Sequence, residues 1–305
     1  MIGIASASAR VRHPAMIGVL ACAAFAYGVF AQAAAGAVVL RDDSNRSVVV
    51  PHDPRRIITL LPSLTETVCA LGACNRLVAV GRFDDWPPSV KRLPKVGDLD
   101  EVNIERIVAL RPDLVLLSNS QRVGARLREL GIASFAIETD RYADIARTVR
   151  IVGELLGVPQ RAAALNARIR AQVRAVADAA MAQRRGPAPK VYFEVDPAPY
   201  AAGPDSYIGG LLAKLGVRNI VAAKLGPFPL LNPEYVVRRD PDVIFISRAA
   251  APHLAERPGW AGIKAVREHR ICTFPERVRE TIMRPGPRVA EGLRAIAACL
   301  ARVAP

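Results

Sequence analysis

A sixteen-residue segment occurs twice in the chain, and this duplication limits the possible folds more than any other feature. Residues 103–118 (NIERIVALRPDLVLLS) and 232–247 (NPEYVVRRDPDVIFIS) align without a gap, 129 residues apart. Asn, Glu, Val, Pro, Asp and the terminal Ser are identical in the two copies. Most other positions keep their polar or apolar character. The duplication predicts one similar structural unit in each half of the chain.

Each copy has the pattern of a short helix followed by a buried strand. Asn103 and Asn232 are favourable N-caps, and Pro112 and Pro241 must end the helices that follow them. The next runs, DLVLLS and DVIFIS, are continuously apolar, which is typical of a parallel strand covered on both faces. Helix, proline and strand make half of a β/α unit. We therefore expect each copy in its own α/β lobe.

The longest helical pattern lies between the copies, at residues 159–185. It is rich in alanine and arginine, has Pro159 at its start and is followed by Gly186 and Pro187. Proline is well tolerated in the first turn of a helix. At 1.5 Å per residue, such a helix is roughly 40 Å long. A flexible linker would instead be rich in glycine and serine, so this segment is expected to join the lobes rigidly.

These patterns together predict an α/β fold. Two α/β lobes with mainly parallel central sheets are joined by one long rigid helix, and the ligand cleft lies between the lobes. The expected boundaries are 34–158 for the N-terminal lobe, 159–185 for the backbone helix and 186–305 for the C-terminal lobe. Within the N-terminal lobe, the spacing of Ser63 and Glu66 matches a capping box and predicts a helix start at Ser63.

Residues 1–33 have the pattern of a secretory signal peptide. Basic residues precede an uncharged apolar run, and Ala31 and Ala33 form an A-x-A ending, which favours cleavage after about residue 33. The alternatives are an uncleaved membrane anchor and a lipoprotein anchored at Cys22. We expect a cleaved signal and a soluble protein in the periplasm.

Charge and motif content exclude several functional classes. The formal net charge is +14, but the arginines are scattered along helical segments rather than clustered with aromatic residues, so nucleic acid is not an expected partner. Phosphate-binding glycine loops and a G-x-S-x-G nucleophile motif are absent. His52, His253 and His269 have no companions at catalytic or metal-ligand spacing. The sequence thus predicts no enzyme, no metal site and no cofactor.

Four cysteines follow the signal, an even number in an oxidising compartment. Three pairings are possible. Cys69 and Cys74 flank a helix end marked by Gly72, which favours a bridge between them and leaves Cys272 and Cys299 as the second pair.

The first ligand-binding candidates are aromatic residues in loops rich in proline and glycine. These loops follow predicted strands, where α/β domains place their ligand sites, and aromatic faces suit a large, flat, apolar ligand. The aromatic candidates are Phe83, Trp86, Tyr200 and Phe228. Charged candidates on such loops are Arg82, Glu280 and Arg284. For Trp86, packing is the favoured explanation, because Pro87 is beside it. For the other candidates, a structural or solvated role is an equal alternative to ligand contact.

The segment from RIITLLPSLTETV to the end of the first repeat resembles a known family, the helical-backbone periplasmic binding proteins of ABC importers for cobalamin, ferric siderophores and haem. The resemblance continues through NPEYVVRRDPDVIFIS and MRPGPRVAEGL and covers nearly the whole chain after the signal. It implies the two-lobed fold described above. It also implies a monomer whose partner is a permease dimer with its ATPase.

The resemblance gives the repeated glutamate a role. In the family, each lobe presents one surface glutamate that docks onto arginines of the dimeric permease, and by position these are Glu105 and Glu234. A carboxylate in the first turn of a helix is also favoured by the helix dipole.

The resemblance implies a cobalamin-like corrinoid as the transported ligand, not as a cofactor. Phe83 and Phe228 stand where cobalamin-binding members have aromatic contacts, and Glu280 and Arg284 stand where they have charged ones. Leu99 and Ser118, however, stand at tryptophan positions. The alternative is a ferric siderophore held through Arg82, Arg284 and Arg288. Haem binders of the group use a tyrosine near the GRFDDWP loop, which has none here.

Overall fold

The computed structural model describes residues 2–3, 37–98, 100–120, 122–196 and 199–304. The signal predicted over residues 1–33, with Cys22, lies outside the described residues apart from Ile2 and Gly3. Leu99 also lies outside them.

The N-terminal half of the described chain forms a hairpin and a parallel α/β lobe. Its strands are β1 (Ala37–Arg41), β2 (Ser47–Pro51), β3 (Ile57–Thr59), β4 (Leu77–Val80), β5 (Leu114–Leu117) and β6 (Ser134–Ala136). Its helices are α1 (Pro62–Ala70), α2 (Ile104–Ala109), α3 (Val123–Glu129) and α4 (Asp144–Leu155). The strands β1 and β2 pair antiparallel as a separate hairpin. The lobe's own sheet has the order β4-β3-β5-β6, and every pairing in it is parallel.

The predicted long helix is present as α5 (Pro159–Gln183). Proline occupies its first turn, and the helix ends before Gly186 and Pro187. Its buried residues recur at helical spacing, at Leu165, Ile169, Val173 and Ala177, so one stripe of the helix packs against both lobes.

The C-terminal half forms the second lobe. Its strands are β7 (Lys190–Asp196), β8 (Tyr200–Ala201), β9 (Arg218–Asn219), β10 (Val243–Phe245) and β11 (Ile271–Cys272). Its helices are α6 (Tyr207–Lys214), α7 (Pro233–Arg239), α8 (Lys264–Arg267), α9 (Glu276–Met283) and α10 (Val289–Val303). β10 pairs in parallel with β7 and β11, and β9 also pairs in parallel with β7. Only the short β8 runs antiparallel among the described strands of this sheet. The α/β fold with two mainly parallel sheets and a connecting helix is confirmed.

The two repeats occupy equivalent places in the two lobes. Asn103 caps α2 by accepting a hydrogen bond from the amide of Arg106, and Asn232 caps α7 by accepting one from the amide of Glu234. In each lobe the following strand, β5 or β10, lies inside the sheet and is buried along its whole length.

One hydrophobic core runs through both lobes. A single cluster of buried side chains contains Ile57 and Leu114 of the first sheet, Leu165 of α5, and Val191 and Phe245 of the second sheet. Because burial of apolar surface is the main stabilising term in folding, the lobes share much of their stability. This continuity opposes independent movement of either lobe.

The disulfide predictions are confirmed. Cys69 is bonded to Cys74 at the end of α1, and Cys272 of β11 is bonded to Cys299 of α10. The second bridge fastens the last helix to the edge strand of the C-terminal sheet.

The predicted capping box at the start of α1 is wrong. The helix begins at Pro62, after Leu61, and no side chain caps it. Ser63 and Glu66 are both buried within the helix. The glutamate is drawn away from the helix start because its carboxylate faces arginines of the C-terminal lobe.

The contact between α4 and α5 generates a stability prediction. A Cβ added at Gly153 would overlap the Cβ of Ala162. We expect Gly153→Ala to lower the free energy of unfolding by about 1–3 kcal/mol, since overpacked cores must shift backbone or rotamers. Urea denaturation followed by circular dichroism measures this change. Gly262→Ala is the control, because no heavy atom lies within 4 Å of its added Cβ. Equal stability of the two variants would contradict the close packing of α4 on α5.

Candidate ligand cleft and docking surface

Loops at the carboxyl ends of the parallel strands carry the predicted ligand contacts. Phe83 and Trp86 follow β4, Tyr200 lies in β8 directly after β7, and Phe228 lies in the loop before α7. Glu280 and Arg284 lie in and just after α9, which follows β11. The sequence therefore placed these residues on the edges of the sheets where α/β domains bind ligands.

Arg284 joins the two lobes. Its Nη1 donates to Asp85 Oδ1 at 2.6 Å and to Glu66 Oε1 at 3.3 Å, and its Nη2 donates to the carbonyl oxygen of Phe83 at 3.2 Å. Glu280 Oε2 of its own lobe lies 3.5 Å from Nη2. The Arg284 side chain is only 11% exposed. Its hydrogen-bonding capacity is therefore used mainly in holding the N-terminal lobe.

Trp86 and Arg288 form a second contact between the lobes. The guanidinium carbon of Arg288 lies 4.3 Å from the centre of the Trp86 ring, within the range of a cation–π interaction. Arg288 Nη1 is also 3.7 Å from Glu66 Oε1. Trp86 therefore packs at the lobe junction. Of its two sequence interpretations, the structure favours packing over an open aromatic face.

Two buried acids of the N-terminal lobe lie behind these contacts. Burial raises the pKa of Glu66 to about 7 against the pull of Arg288 and Arg284, and burial raises the pKa of Asp84 to about 6. Asp84 accepts hydrogen bonds from the Thr65 hydroxyl and from the Gly81 amide. Glu66 Oε2 and Asp84 Oδ1 have no hydrogen-bond partner among the described residues. A buried carboxylate oxygen without a donor favours the uncharged acid.

The remaining aromatic candidates are exposed. Phe83 is 62% exposed on the N-terminal lobe, and Tyr200 and Phe228 are 40% and 44% exposed on the C-terminal lobe. The amide of Ala201 donates to the carbonyl of Pro229, and Tyr200 pairs with Leu230, so the Tyr200 and Phe228 segments run side by side. Leu230 is also exposed, so these neighbouring segments present three exposed apolar side chains, those of Tyr200, Phe228 and Leu230.

Arg82 is also exposed, but it is paired within its own lobe. Its Nη1 lies 3.1 Å from Asp98 Oδ2, and its Nη2 lies 3.8 Å from Glu101 Oε2. Exposed pairs of this kind are weak, so a ligand could compete for the guanidinium at small cost.

The repeated glutamates lie on the surface. Glu105 and Glu234 are both exposed in the first turns of α2 and α7. Glu234 is 3.5 Å from Arg238 of its own helix. Each glutamate stands two residues after the asparagine that caps its helix, one on each lobe.

Sequence reasoning missed the residues that hold the lobes together. Glu66 was assigned to a helix cap, and Asp85 was not singled out. The available signal was that Glu66 is the one charged residue of α1, which the capping-box pattern explained without a tertiary contact. A second missed network lies in the C-terminal lobe, where Arg257 binds the buried Glu194 through two hydrogen bonds.

The described part of the chain has neither a cluster of metal-ligating side chains nor a helix that could span a membrane. No group of three or more histidine, cysteine, aspartate or glutamate residues could hold a metal ion there. In the same part of the chain, no helix is both long and apolar enough to cross a membrane.

The buried Glu66 generates a pH prediction. The folded protein binds the proton of the Glu66 carboxyl group more tightly than the unfolded chain does. The stability that this proton contributes is therefore fully present below about pH 4.5 and is lost as the pH rises to about 7. The pKa change from 4.5 to about 7 corresponds to about 3 kcal/mol. Glu66→Gln should remove this loss, so that the variant gains stability relative to the wild type between pH 5 and about 7.5. Denaturant unfolding at several pH values measures the difference.

The exposed Glu129→Gln is the matched control and should keep the wild-type pH dependence. A constant stability difference between Glu66→Gln and the wild type from pH 5 to about 7.5 would contradict the assignment to Glu66.

Comparison with known proteins gives the family. The sequence profile of the family described as "Periplasmic binding protein" matches residues 57–278. The uncharacterized ABC transporter substrate-binding lipoprotein YvrC of Bacillus subtilis is 29% identical over 269 residues, which cover 85% of this chain and 84% of that protein. The cobalamin-binding protein of Halobacterium salinarum is 33% identical over 210 residues, which cover 67% of this chain but only 56% of that protein.

A solved structure has the same fold. The periplasmic heme-binding protein RhuT from Roseiflexus sp. RS-1, in apo form, superposes with a TM-score of 0.70 at 28% sequence identity, over 82% of this chain and 99% of that chain. The family match, the relatives and the two-lobed architecture agree. The chain therefore belongs to the periplasmic binding protein family, whose members are the extracytoplasmic, non-enzymatic substrate-binding components of ABC importers.

Proposed function

We propose that this protein captures a cobalamin-like corrinoid between its lobes and delivers it to the permease. The observation that carries the proposal is the exposure of Phe83 on one lobe and of Tyr200 and Phe228 on the other. Aromatic faces on both sides of a cleft suit a large, flat ligand with apolar faces. The similarity to the Halobacterium salinarum cobalamin-binding protein supports the same ligand class.

The charged candidates divide into two groups. Arg284 and Arg288 are held by Glu66, Asp85 and Trp86 at the lobe junction, so capturing an anionic ligand with them would break interlobe contacts. Because Arg284 and Arg288 already bind groups of the other lobe, a siderophore held by these arginines is disfavoured. Arg82 and Glu280 stay accessible, with Glu280 38% exposed, and in this proposal they meet polar groups at the ligand's edge.

Two positions that carry tryptophan in cobalamin-binding relatives are different here. Ser118 donates a hydrogen bond to Glu138 Oε1 at 2.9 Å, so its hydroxyl helps to hold the loop after β5. In this proposal the apolar contact therefore comes mainly from the three exposed aromatic residues and from Leu230, and the cleft holds the ring with fewer aromatic faces than those relatives use.

Titration with candidate ligands tests the proposal. We expect cyanocobalamin to bind at micromolar or lower concentration by calorimetry. Phe83→Ala and Phe228→Ala should each weaken binding about tenfold or more, because each removes apolar surface that the ligand would bury. Leu130→Ala is the matched control, since Leu130 is an exposed apolar residue at the end of α3, and it should bind like the wild type. Binding of haem or a ferric siderophore without binding of any corrinoid would replace the ligand assignment.

We also propose that Glu105 and Glu234 dock onto the permease. The support is their equivalent position in two matched, capped helices, one per lobe, together with their exposure. A shared core through α5 keeps the lobes in a fixed relation, so the two carboxylates have a fixed spacing, as a symmetric partner requires.

The docking proposal predicts a separation of binding from transport. The double variant Glu105→Ala with Glu234→Ala should keep the wild-type ligand affinity but lose stimulation of the transporter's ATPase in proteoliposomes, because truncating one partner of an interfacial charge pair costs about 2–5 kcal/mol. The control removes one exposed glutamate from each lobe elsewhere, Glu129→Ala with Glu256→Ala. Unchanged stimulation by the first variant, or equal loss in both, would refute the docking assignment.

The export signal and the domain boundaries are part of the proposal. We place the mature N-terminus near residue 34 and the two lobes at 34–158 and 186–305, joined by the helix at 159–185. Intact-mass analysis of the exported protein distinguishes a chain that begins near residue 34 from one that is acylated at Cys22, as in a lipoprotein relative.

A further inference from the structure

A cavity lies along the backbone helix, apart from the loops that carry the aromatic candidates. It has a volume of about 480 Å³ and is lined by residues of α4, α5 and α6. This size falls within the range of small-molecule pockets, about 300–1,000 Å³. We call it the backbone groove. Because α4 belongs to the N-terminal lobe and α6 to the C-terminal lobe, the groove crosses the junction between them.

The floor of the backbone groove is apolar and elongated. It is formed by Ile145 of α4 and by Ile169, Val173 and Ala177 of α5, all buried beneath it. Its lining on α5 extends from residue 166 to residue 181, a distance of roughly 22 Å at 1.5 Å per residue. At the far end Met181 is 46% exposed. The shape suits a narrow, extended, apolar chain rather than a globular ligand.

The other end of the groove is cationic. Lys214 Nζ lies 5.2 Å from the centre of the Tyr142 ring. Burial raises the pKa of the Tyr142 hydroxyl, and Arg170 is near enough to oppose that effect. Arg174 lies one turn further along the same lining. Among the described residues, none of these three cations is within 4 Å of a carboxylate oxygen.

A buried polar atom without a partner also lies in the groove lining. Asn166 donates its side-chain amide to the carbonyl of Ala146, but its Oδ1 is buried and accepts no hydrogen bond from any described residue. Buried polar atoms are nearly always paired with protein or water. The one acid in the lining, Asp178, lies two turns beyond Arg170 on α5, toward the Met181 end.

We propose that the backbone groove binds a free fatty carboxylate, with its head group between Arg170 and Lys214 and its chain extended over the apolar floor toward Met181. Uncompensated cations attract an anionic head, and the apolar floor removes the chain from water. The positive charge of the groove also disfavours two other possible occupants, the N-terminal segment of this chain and a second copy of it, because both are positively charged. The N-terminal segment is itself basic, with Arg10 and Arg12, and a second copy of the chain carries the same net charge of +14.

A bound chain would bridge the two lobes. The walls of the groove approach closely at Gly210, where an added Cβ would come within 2.6 Å of Tyr142 Cβ. An occupant that contacts both walls would add to the contacts that hold the lobes together. This inference is independent of which ligand occupies the cleft.

Calorimetry with three probes tests the proposal on the full-length exported protein. Dodecanoate, below its critical micelle concentration, should bind with one site per protein. Dodecyltrimethylammonium has the same chain with a cationic head, and acetate has the head without the chain; neither should bind. Arg170→Glu and Lys214→Glu should each weaken dodecanoate binding about tenfold or more, since a charge-assisted hydrogen bond is lost.

Two further variants separate the groove from general surface charge. Arg168→Glu reverses a charge on the outer face of the same helix, outside the groove lining, and should bind dodecanoate like the wild type. Ala213→Trp places a large side chain in the groove wall and should abolish binding while circular dichroism confirms a native fold. The proposal is overturned if Arg168→Glu weakens binding as much as Arg170→Glu. Equal binding of the cationic probe, or full binding by a folded Ala213→Trp variant, also overturns it.

Discussion

The guanidinium of Arg284 lies between carboxylates of the opposite lobe, and the arrangement of the cleft depends on this contact. It reaches Glu66 and Asp85, which are 218 and 199 residues earlier in the sequence. It also donates to the carbonyl of Phe83, whose ring is exposed. A buried ion pair of this kind adds little net stability, because removing the charges from water offsets most of their attraction. The contact therefore fixes the position of the two lobes at these loops and contributes little to the free energy of unfolding.

The shared core adds a second constraint on the lobes. Arg284 and the Trp86–Arg288 stack join the lobes at the loops, and the cluster around α5 joins them along the backbone helix. Large hinge motions require few contacts between moving bodies, whereas here two separate sets of contacts would have to break. The two surface glutamates are consequently expected to keep one spacing with and without ligand.

Features that depend on neighbouring residues could be predicted from the sequence, and features that depend on distant ones could not. The caps at Asn103 and Asn232, the helix at 159–183 and the bridge between Cys69 and Cys74 all follow from local spacing, and the structure has each of them. The role of Glu66 could not be predicted. Its spacing from Ser63 satisfied a local rule, but the helix begins at Pro62, and the Glu66 side chain lies buried against arginines of the other lobe.

The same contrast bears on the choice of ligand. By sequence, Arg284 looked available to an anion, whereas in the structure it is bonded at the junction between the lobes. Trp86, for which the sequence favoured packing, lies against Arg288 at the same junction. The candidates that stay exposed are mostly apolar, namely Phe83, Tyr200 and Phe228, with Arg82 only weakly paired. In the proposed cleft these side chains would face the ligand. Desolvation of these faces, not charge pairing, would then supply most of the binding free energy. An affinity that depends little on ionic strength follows from such a cleft, because screening weakens interactions between charges but leaves apolar burial almost unchanged.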